Sequence, residues 1–327
     1  MHTHTIPQAE RVRIPAPDLP GSIGSTPLLA LRRLAPDLPE TVSVCAKAEF
    51  LNSGGSVKAR SALRMVSDGL ASGSLGPQRT LIDATSGNTG IAYAMLGAAM
   101  DFRVKLVMPA NASAARKQIV RAYGAELVLT DPQELTDGAQ TYVQEVVARD
   151  PERYFYPDQY NNEANWRAHF DTTGPEIVEQ SGRCATHFVS VLGTTGTFVG
   201  VSRRLKKDIP FVRCVAVQPD SPLHGIEGAK HLASSRVPGI YDSLLVDEEM
   251  SISTEDAREM TRRLAREEGL FVGVSSGANV AAAIRLARRL EAGLVVTILC
   301  DTGAHYLGEG PWDTETAPRR NGREVYG

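Results

Sequence analysis

Cysteine is scarce in this chain. Cys45, Cys184, Cys214 and Cys300 are the only four, and no two stand at the CxxC spacing of a zinc site or a dithiol redox motif. Cys45, Cys214 and Cys300 lie in or beside apolar runs, so buried, reduced thiols are expected. The seven histidines form no HxxxH pair, and no metal site is expected. A dominant charge is missing too: 35 Lys and Arg stand against 38 Asp and Glu. So balanced a total points to neither a nucleic-acid nor an anionic-membrane partner. No apolar run approaches the roughly 18 to 20 residues of a membrane span. Residues 1–13 are polar, with Glu10, Arg11 and Arg13, and lack the apolar stretch of a signal peptide. The expectation is a cytoplasmic protein with a mobile N-terminal extension over 1–13.

What is present is enough apolar content for a core, 42% over 327 residues, a length that suits two domains. Strand-length apolar runs at 42–46, 81–84, 103–108, 126–130, 187–192, 212–217 and 294–299 alternate with helical patterns. Those patterns fall at 91–100, 113–123, 138–149, 197–206, 254–268 and 278–290. This βα alternation predicts an α/β protein with mostly parallel sheets and helices on both faces. The units form two clusters with no Ser/Gly linker between them, so two three-layer α/β domains sharing a tight cleft are expected.

Four loops concentrate chemistry. The first runs Asn52-Ser53-Gly54-Gly55-Ser56-Val57-Lys58-Ala59-Arg60. Its glycines allow close backbone approach. Lys58 stands where a helix begins, and there the helix dipole favours the neutral, nucleophilic amine that Schiff-base chemistry requires. The pattern GxxxxGK[ST] is not met, because Ala59 follows the lysine. The second, Thr85-Ser86-Gly87-Asn88-Thr89-Gly90, joins a strand to a helix and offers hydroxyls and free N–H groups, an anion nest suited to a carboxylate or phosphate. The third, Gly193-Thr194-Thr195-Gly196-Thr197, is a second such turn without the third glycine and acidic partner of a dinucleotide fingerprint. A single phosphate suits it, and a side chain at Gly196 is expected to occupy phosphate space. The fourth, Gly273-Val274-Ser275-Ser276-Gly277-Ala278, also precedes a helix, and a serine there could bond a heteroaromatic nitrogen. Taken singly, these loops also fit a surface lysine, an N-cap, a plain turn and a serine cap.

In order and spacing the loops resemble the cysteine synthase (O-acetylserine sulfhydrylase) family of fold-type II pyridoxal phosphate enzymes. The resemblance covers nearly the whole chain. It also includes Ile23-Gly24-Ser25-Thr26-Pro27-Leu28, Asp158-Gln159-Tyr160-Asn161-Asn162 and Asp301-Thr302-Gly303. It implies a pyridoxal 5'-phosphate cofactor joined to Lys58, which later shuttles the substrate's α-proton. Asn88 would bond the cofactor's 3'-oxygen. Gly193, Thr194, Thr195, Gly196 and Thr197 would hold its phosphate, and Ser275 would meet its pyridine nitrogen. Thr85, Ser86, Thr89 and Gln159 would bind the substrate carboxylate. The implied reaction makes L-cysteine from O-acetyl-L-serine and sulfide through α-aminoacrylate, in a homodimer. Its smaller mobile domain would span 46–162, and its cofactor-anchoring domain 14–45 plus 163–327.

Two positions depart from the family pattern: Ala59 stands where an aspartate is common, and His305 where a basic residue is common. Asp220, after the run 212–217, would repel a phosphate leaving group, which favours the acetyl ester. The rival readings are an O-phosphoserine sulfhydrylase, a diaminopropionate-type synthase, a cystathionine β-synthase-like enzyme and a serine/threonine dehydratase. A non-catalytic relative that keeps the cofactor and a nucleotide-binding oxidoreductase lie further off.

Overall fold

The computed structural model describes residues 17–85, 87–308 and 310–312. The expected extension at 1–13 lies outside the described residues, as does Ser86. Among the described residues, ten strands form two sheets. They are β1 (Leu28–Ala30), β2 (Val42–Lys47), β3 (Thr80–Ala84), β4 (Arg103–Pro109), β5 (Glu126–Thr130), β6 (Tyr154–Phe155), β7 (His187–Val191), β8 (Arg213–Pro219), β9 (Glu248–Ile252) and β10 (Gly293–Ile298). The larger sheet has the order β1-β2-β10-β7-β8-β9 and the smaller β5-β4-β3-β6. All pairings are parallel except β1 with β2.

Nine α-helices accompany them among the described residues: α1 (Lys58–Ala71), α2 (Asn88–Met100), α3 (Ala114–Ala122), α4 (Leu135–Arg149), α5 (Ala164–Ala168), α6 (Gly174–Gln180), α7 (Gly196–Asp208), α8 (Thr254–Arg263) and α9 (Val274–Ala287). The central strands are apolar on both faces, as strands covered by helices on both sides must be; Leu106, Val107 and Met108 of β4 are fully buried. Helix α2 is apolar nearly all round, with Ile91 to Leu96 buried, because it is wedged between α1, α3 and β4. Helix α8 is amphipathic. Its cap Ser253 accepts from the Asp256 amide, acids occupy its first turn and arginines its last, complementing the helix dipole.

The α/β class with mostly parallel sheets is as the sequence predicts. Three strands are not anticipated there: β1 and β6 are too short to show a period, and β9 (Glu-Glu-Met-Ser-Ile) carries few apolar residues. The predicted helix over 254–268 stops at Arg263 and continues as a π segment, Leu264–Glu268. A second π segment, His169–Thr173, joins α5 to α6.

Candidate active site

Parallel sheets collect ligands beyond the carboxyl ends of their strands, and here three such ends meet. The loop after β3 leads into α2, the turn after β7 into α7, and the segment after β10 passes the first residues of α1 and α9. The Val57 amide donates to the Cys300 carbonyl at 2.8 Å, and the Thr302 amide to the Gly55 carbonyl at 2.9 Å. Gly55 has φ +70°, and a Cβ there would press on Thr302 and His305. The Cys300 amide donates to Ser276 Oγ at 2.8 Å, fastening α9 to the same segment.

Lys58 is the first residue of α1 and half-buried. It is close enough to His169, Cys300 and Asp301 for its charge to act on each. Burial pushes the Cys300 thiol up to about 12, so it stays protonated. Two residues beyond Lys58, Arg60 grips both oxygens of Glu49 at 2.7 and 2.8 Å and both of Glu176 at 2.7 Å. Lys47 bonds Glu176 at 2.6 Å, closing a buried cluster of two cations and two carboxylates. Glu176 also accepts from the Ser25 amide at 3.0 Å, and Thr26 donates to Glu49 at 2.6 Å. The start of α1 is thereby fixed to the 23–28 segment. Ala59 is fully buried, so an aspartate there would have to be accommodated inside the protein.

In the turn after β7, Thr195 has φ 69°, a left-handed conformation rare for a non-glycine residue. Its Oγ1 is buried without a hydrogen-bond partner. The opening N–H groups of α7 have no partner inside the helix. Thr194 Oγ1 accepts from Asn165 Nδ2 at 3.1 Å, and Thr197 Oγ1 lies 3.3 Å from His169 Nε2. His169 sits on a π segment, a distortion often found at functional sites. Its Nδ1 is 2.9 Å from Thr173 Oγ1, and burial drives its pKa far down, so the ring is neutral. Protein atoms already crowd both glycines. A Cβ on Gly193 would strike the Gly228 carbonyl, and one on Gly196 would strike the Asn165 carboxamide.

At the other nest Thr85 and Thr89 are buried, and the Gly87 amide donates to Thr85 Oγ1 at 3.3 Å. Thr89 Oγ1 donates to Gln159 Oε1 at 2.9 Å, and Gln159 Nε2 reaches the Ala84 carbonyl at 3.4 Å. Asn165 Nδ2 also donates to the Gln159 carbonyl at 2.6 Å, tying this nest to Thr194. Asn88 begins α2 and donates from Nδ2 to Asp301 at 2.6 Å. Ser275 is buried beside the Cys300 thiol, on the second residue of α9.

Thus Lys58, Asn88, Thr85, Thr89, Gly193, Thr194, Thr195, Gly196, Thr197 and Ser275 all fall on the converging segments, and Gln159, on the loop after β6, is bonded to them through Thr89 and Asn165. The site also holds residues that the loops alone did not announce. Asp301 accepts from Asn88 and Tyr306, and His305 Nδ1 contacts Asn88 Oδ1 at 2.8 Å. Burial and the nearby Arg116 hold His305 down to about 4, so it is neutral where a cation was the family expectation. Arg116 of α3 lies over the Tyr306 ring at 4.7 Å and pairs with Glu227. The signal for Asp301 was its place in Asp301-Thr302-Gly303, a segment of the family resemblance, which gave it no role; for Arg116 there was none, because its partners lie far along the chain.

Comparison with known proteins agrees with this geometry. The sequence pattern of a family described as "Pyridoxal-phosphate dependent enzyme" matches residues 19–301. A cysteine synthase of Aquifex aeolicus is 51% identical over 290 residues, covering 87% of this chain and 89% of that protein. The crystal structure of a cysteine synthase from Entamoeba histolytica superposes with TM-score 0.88 at 32% identity, over 97% of this chain and 96% of that one. An O-acetylserine dependent cystathionine beta-synthase from Helicobacter pylori gives TM-score 0.85 at 35% identity, over 91% and 99%.

Proposed function

The chain belongs to the pyridoxal-phosphate dependent enzyme family, and on that premise we propose that it is a cysteine synthase. This transferase would make L-cysteine from O-acetyl-L-serine and sulfide by β-replacement. The observation that carries the reading is the convergence of Lys58, the turn at 193–197 and the nest at 85–90 beyond the strand ends.

The residues fit the cofactor. A dianionic phosphate suits the unpaired N–H groups of α7 and the orphaned Thr195 hydroxyl, with His169 steadying Thr197 from behind. Lys58 would hold the aldehyde carbon and Ser275 the pyridine nitrogen. When bound, pyridoxal phosphate supplies an electron sink that makes the substrate's α-proton acidic. A neutral serine at the ring nitrogen, in place of a carboxylate, tempers that sink and suits loss and addition at Cβ. Asn88 has one N–H committed to Asp301 and a second for the cofactor's 3'-oxygen.

The rest is done by the protein's own groups. Thr85, Thr89 and Gln159, with Ser86, would take the substrate carboxylate. The 3.4 Å contact from Gln159 Nε2 to Ala84 is weak enough to be exchanged for that carboxylate. Lys58, released by the incoming amine, would take the α-proton while acetate leaves. Sulfide would then add at Cβ, and Lys58 would return the proton to Cα.

The acetyl ester is favoured over a phosphate by Glu227, which neutralises the cleft's Arg116, while Asp220 is exposed. A homodimer, a cytoplasmic location and closure of a smaller 46–162 unit on a 14–45 plus 163–327 unit complete the proposal. The Helicobacter relative keeps a second acceptor in play, a thiol amino acid in place of sulfide.

The test is spectroscopic and chemical. The purified protein should be yellow, and borohydride reduction with peptide mapping should place the pyridoxyl group on Lys58. O-acetylserine should change the spectrum, and sulfide should restore it with release of cysteine. A label on another lysine, or restoration by homocysteine alone, would overturn the respective part of the reading.

A further inference from the structure

Asp301 lies three residues beyond β10 and is 1% exposed. Its Oδ2 accepts from Asn88 Nδ2 at 2.6 Å and from the Tyr306 hydroxyl. Its Oδ1 is buried with no hydrogen bond. Burial raises its pKa, opposed by Tyr306, Asn88, Arg116 and Lys58. An acid with one orphaned oxygen in the interior is costly, so its net effect on stability is unfavourable or slight. What it does have is a directional contact to Asn88.

A carboxamide can face either way round, and its two ends are nearly the same size. Here Asp301 decides the matter, because its carboxylate can only accept and so calls for Nδ2. Neutral His305, whose Nδ1 lies 2.8 Å from Asn88 Oδ1, can serve either orientation by its choice of tautomer and completes the pair as the donor. Turned over, the amide would set its oxygen against the Asp301 oxygen. In the observed direction one N–H remains for the cleft.

We propose that Asp301 is a positioning residue that fixes the Asn88 carboxamide with its donor toward the cofactor. The proposal rests on the reading of Asn88 given above. A merely structural Asp301 would affect folding and leave cofactor recognition to follow stability.

A double-mutant cycle on the affinity for pyridoxal phosphate separates the two. D301A should weaken binding about tenfold, the size of one charge-assisted hydrogen bond. In the N88A background it should weaken binding no further, since the contact is already gone. D301N should recover affinity to within roughly threefold of wild type, because its amide oxygen can accept from Asn88 in the same place. The pH titration of the bound cofactor's visible band should shift alike in D301A and N88A, while the melting temperature of cofactor-free D301A stays level or rises. If D301A does not fold, D301S, too short to reach Asn88, replaces it in the cycle. Equal losses from D301A with and without N88A would overturn the proposal, as would an affinity that tracks melting temperature. If N88A binds like wild type, the Asn88 reading falls and the proposal with it. If N88A is weakened and D301A is not, the proposal alone falls.

Discussion

Thr89 donates its hydroxyl hydrogen to Gln159 Oε1 at 2.9 Å, with both side chains buried, so the first turn of α2 is held to the segment that precedes α5. The bond sets Gln159 beside the nest at 85–90. A charge-assisted hydrogen bond contributes on the order of 1.5 to 3 kcal/mol. Gln159→Ala should therefore lose roughly ten- to hundred-fold in kcat/KM for O-acetylserine. The bound cofactor's absorbance should be unchanged. Stopped-flow titration with O-acetylserine measures this, and loss of cofactor in the variant would move Gln159 from substrate to cofactor recognition.

Gly196→Ala should lower cofactor affinity by displacing Asn165 rather than by filling phosphate space. The Asn165 carboxamide is held by Gln159 and Thr194, so it cannot simply swing away. Both nests should suffer together, with weaker cofactor binding and a higher KM. Trimming the obstacle in Gly196→Ala/Asn165→Ala should restore part of the cofactor affinity. If the double variant binds worse than either single one, the collision is not the cause.

Arg60→Met should cost about 3 to 5 kcal/mol of stability, the usual penalty when one member of a buried ion cluster is removed and opposite charges are left behind. Glu49 and Glu176 would lose four bonds of 2.7 to 2.8 Å. Arg60→Lys should recover little, because an ammonium cannot grip two carboxylates in parallel. Urea denaturation midpoints decide it, and a midpoint for Arg60→Met near that of wild type would refute it.

Asp83 predicts a pH dependence. It sits on β3 below the nest, where burial pushes its pKa up to about 8, with Asp158 adding repulsion. Its Oδ2 has no hydrogen-bond partner. The unfolded chain releases this proton near pH 3.9. Between that value and about 8 the native state holds the extra proton, so stability falls as pH rises, by up to about 1.4 kcal/mol per pH unit. Asp83→Asn should remove this slope and melt higher than wild type at pH 8. Parallel melting-temperature profiles from pH 5 to 8 would count against it.

The turns were legible because each nest is local: glycines, threonines and serines crowd the few residues between an apolar run and a helical pattern. Lys58 drew notice the same way, as a lysine just beyond a pair of glycines where a helical pattern begins. The Asn88–Asp301 pair, the His169 support of Thr197 and the Arg116–Glu227 pair span 213, 28 and 111 residues of chain, and no periodicity encodes them. The π segment at His169–Thr173 likewise breaks the 3.6-residue rhythm by which 164–180 would have shown itself as helical. The Asn165 carboxamide beside Gly196 was not legible either, since Asn165 comes near it only through the fold.

The position of β10 has a consequence for how the protein is made. Synthesis proceeds from the N-terminus, and domains tend to form as they emerge. The strands of the smaller sheet all lie within 80–155, so that sheet can assemble early on a growing chain. The larger sheet cannot, because its second and fourth strands in order, β2 and β7, are joined only by β10, which is made after every other described strand. Lys58 itself waits, since the residues before it are sewn to 300–302. A nascent chain ending before residue 293 would thus carry Lys58 without the segment its loop is fastened to, and the proposed site can form only once β10 and residues 300–302 have been made.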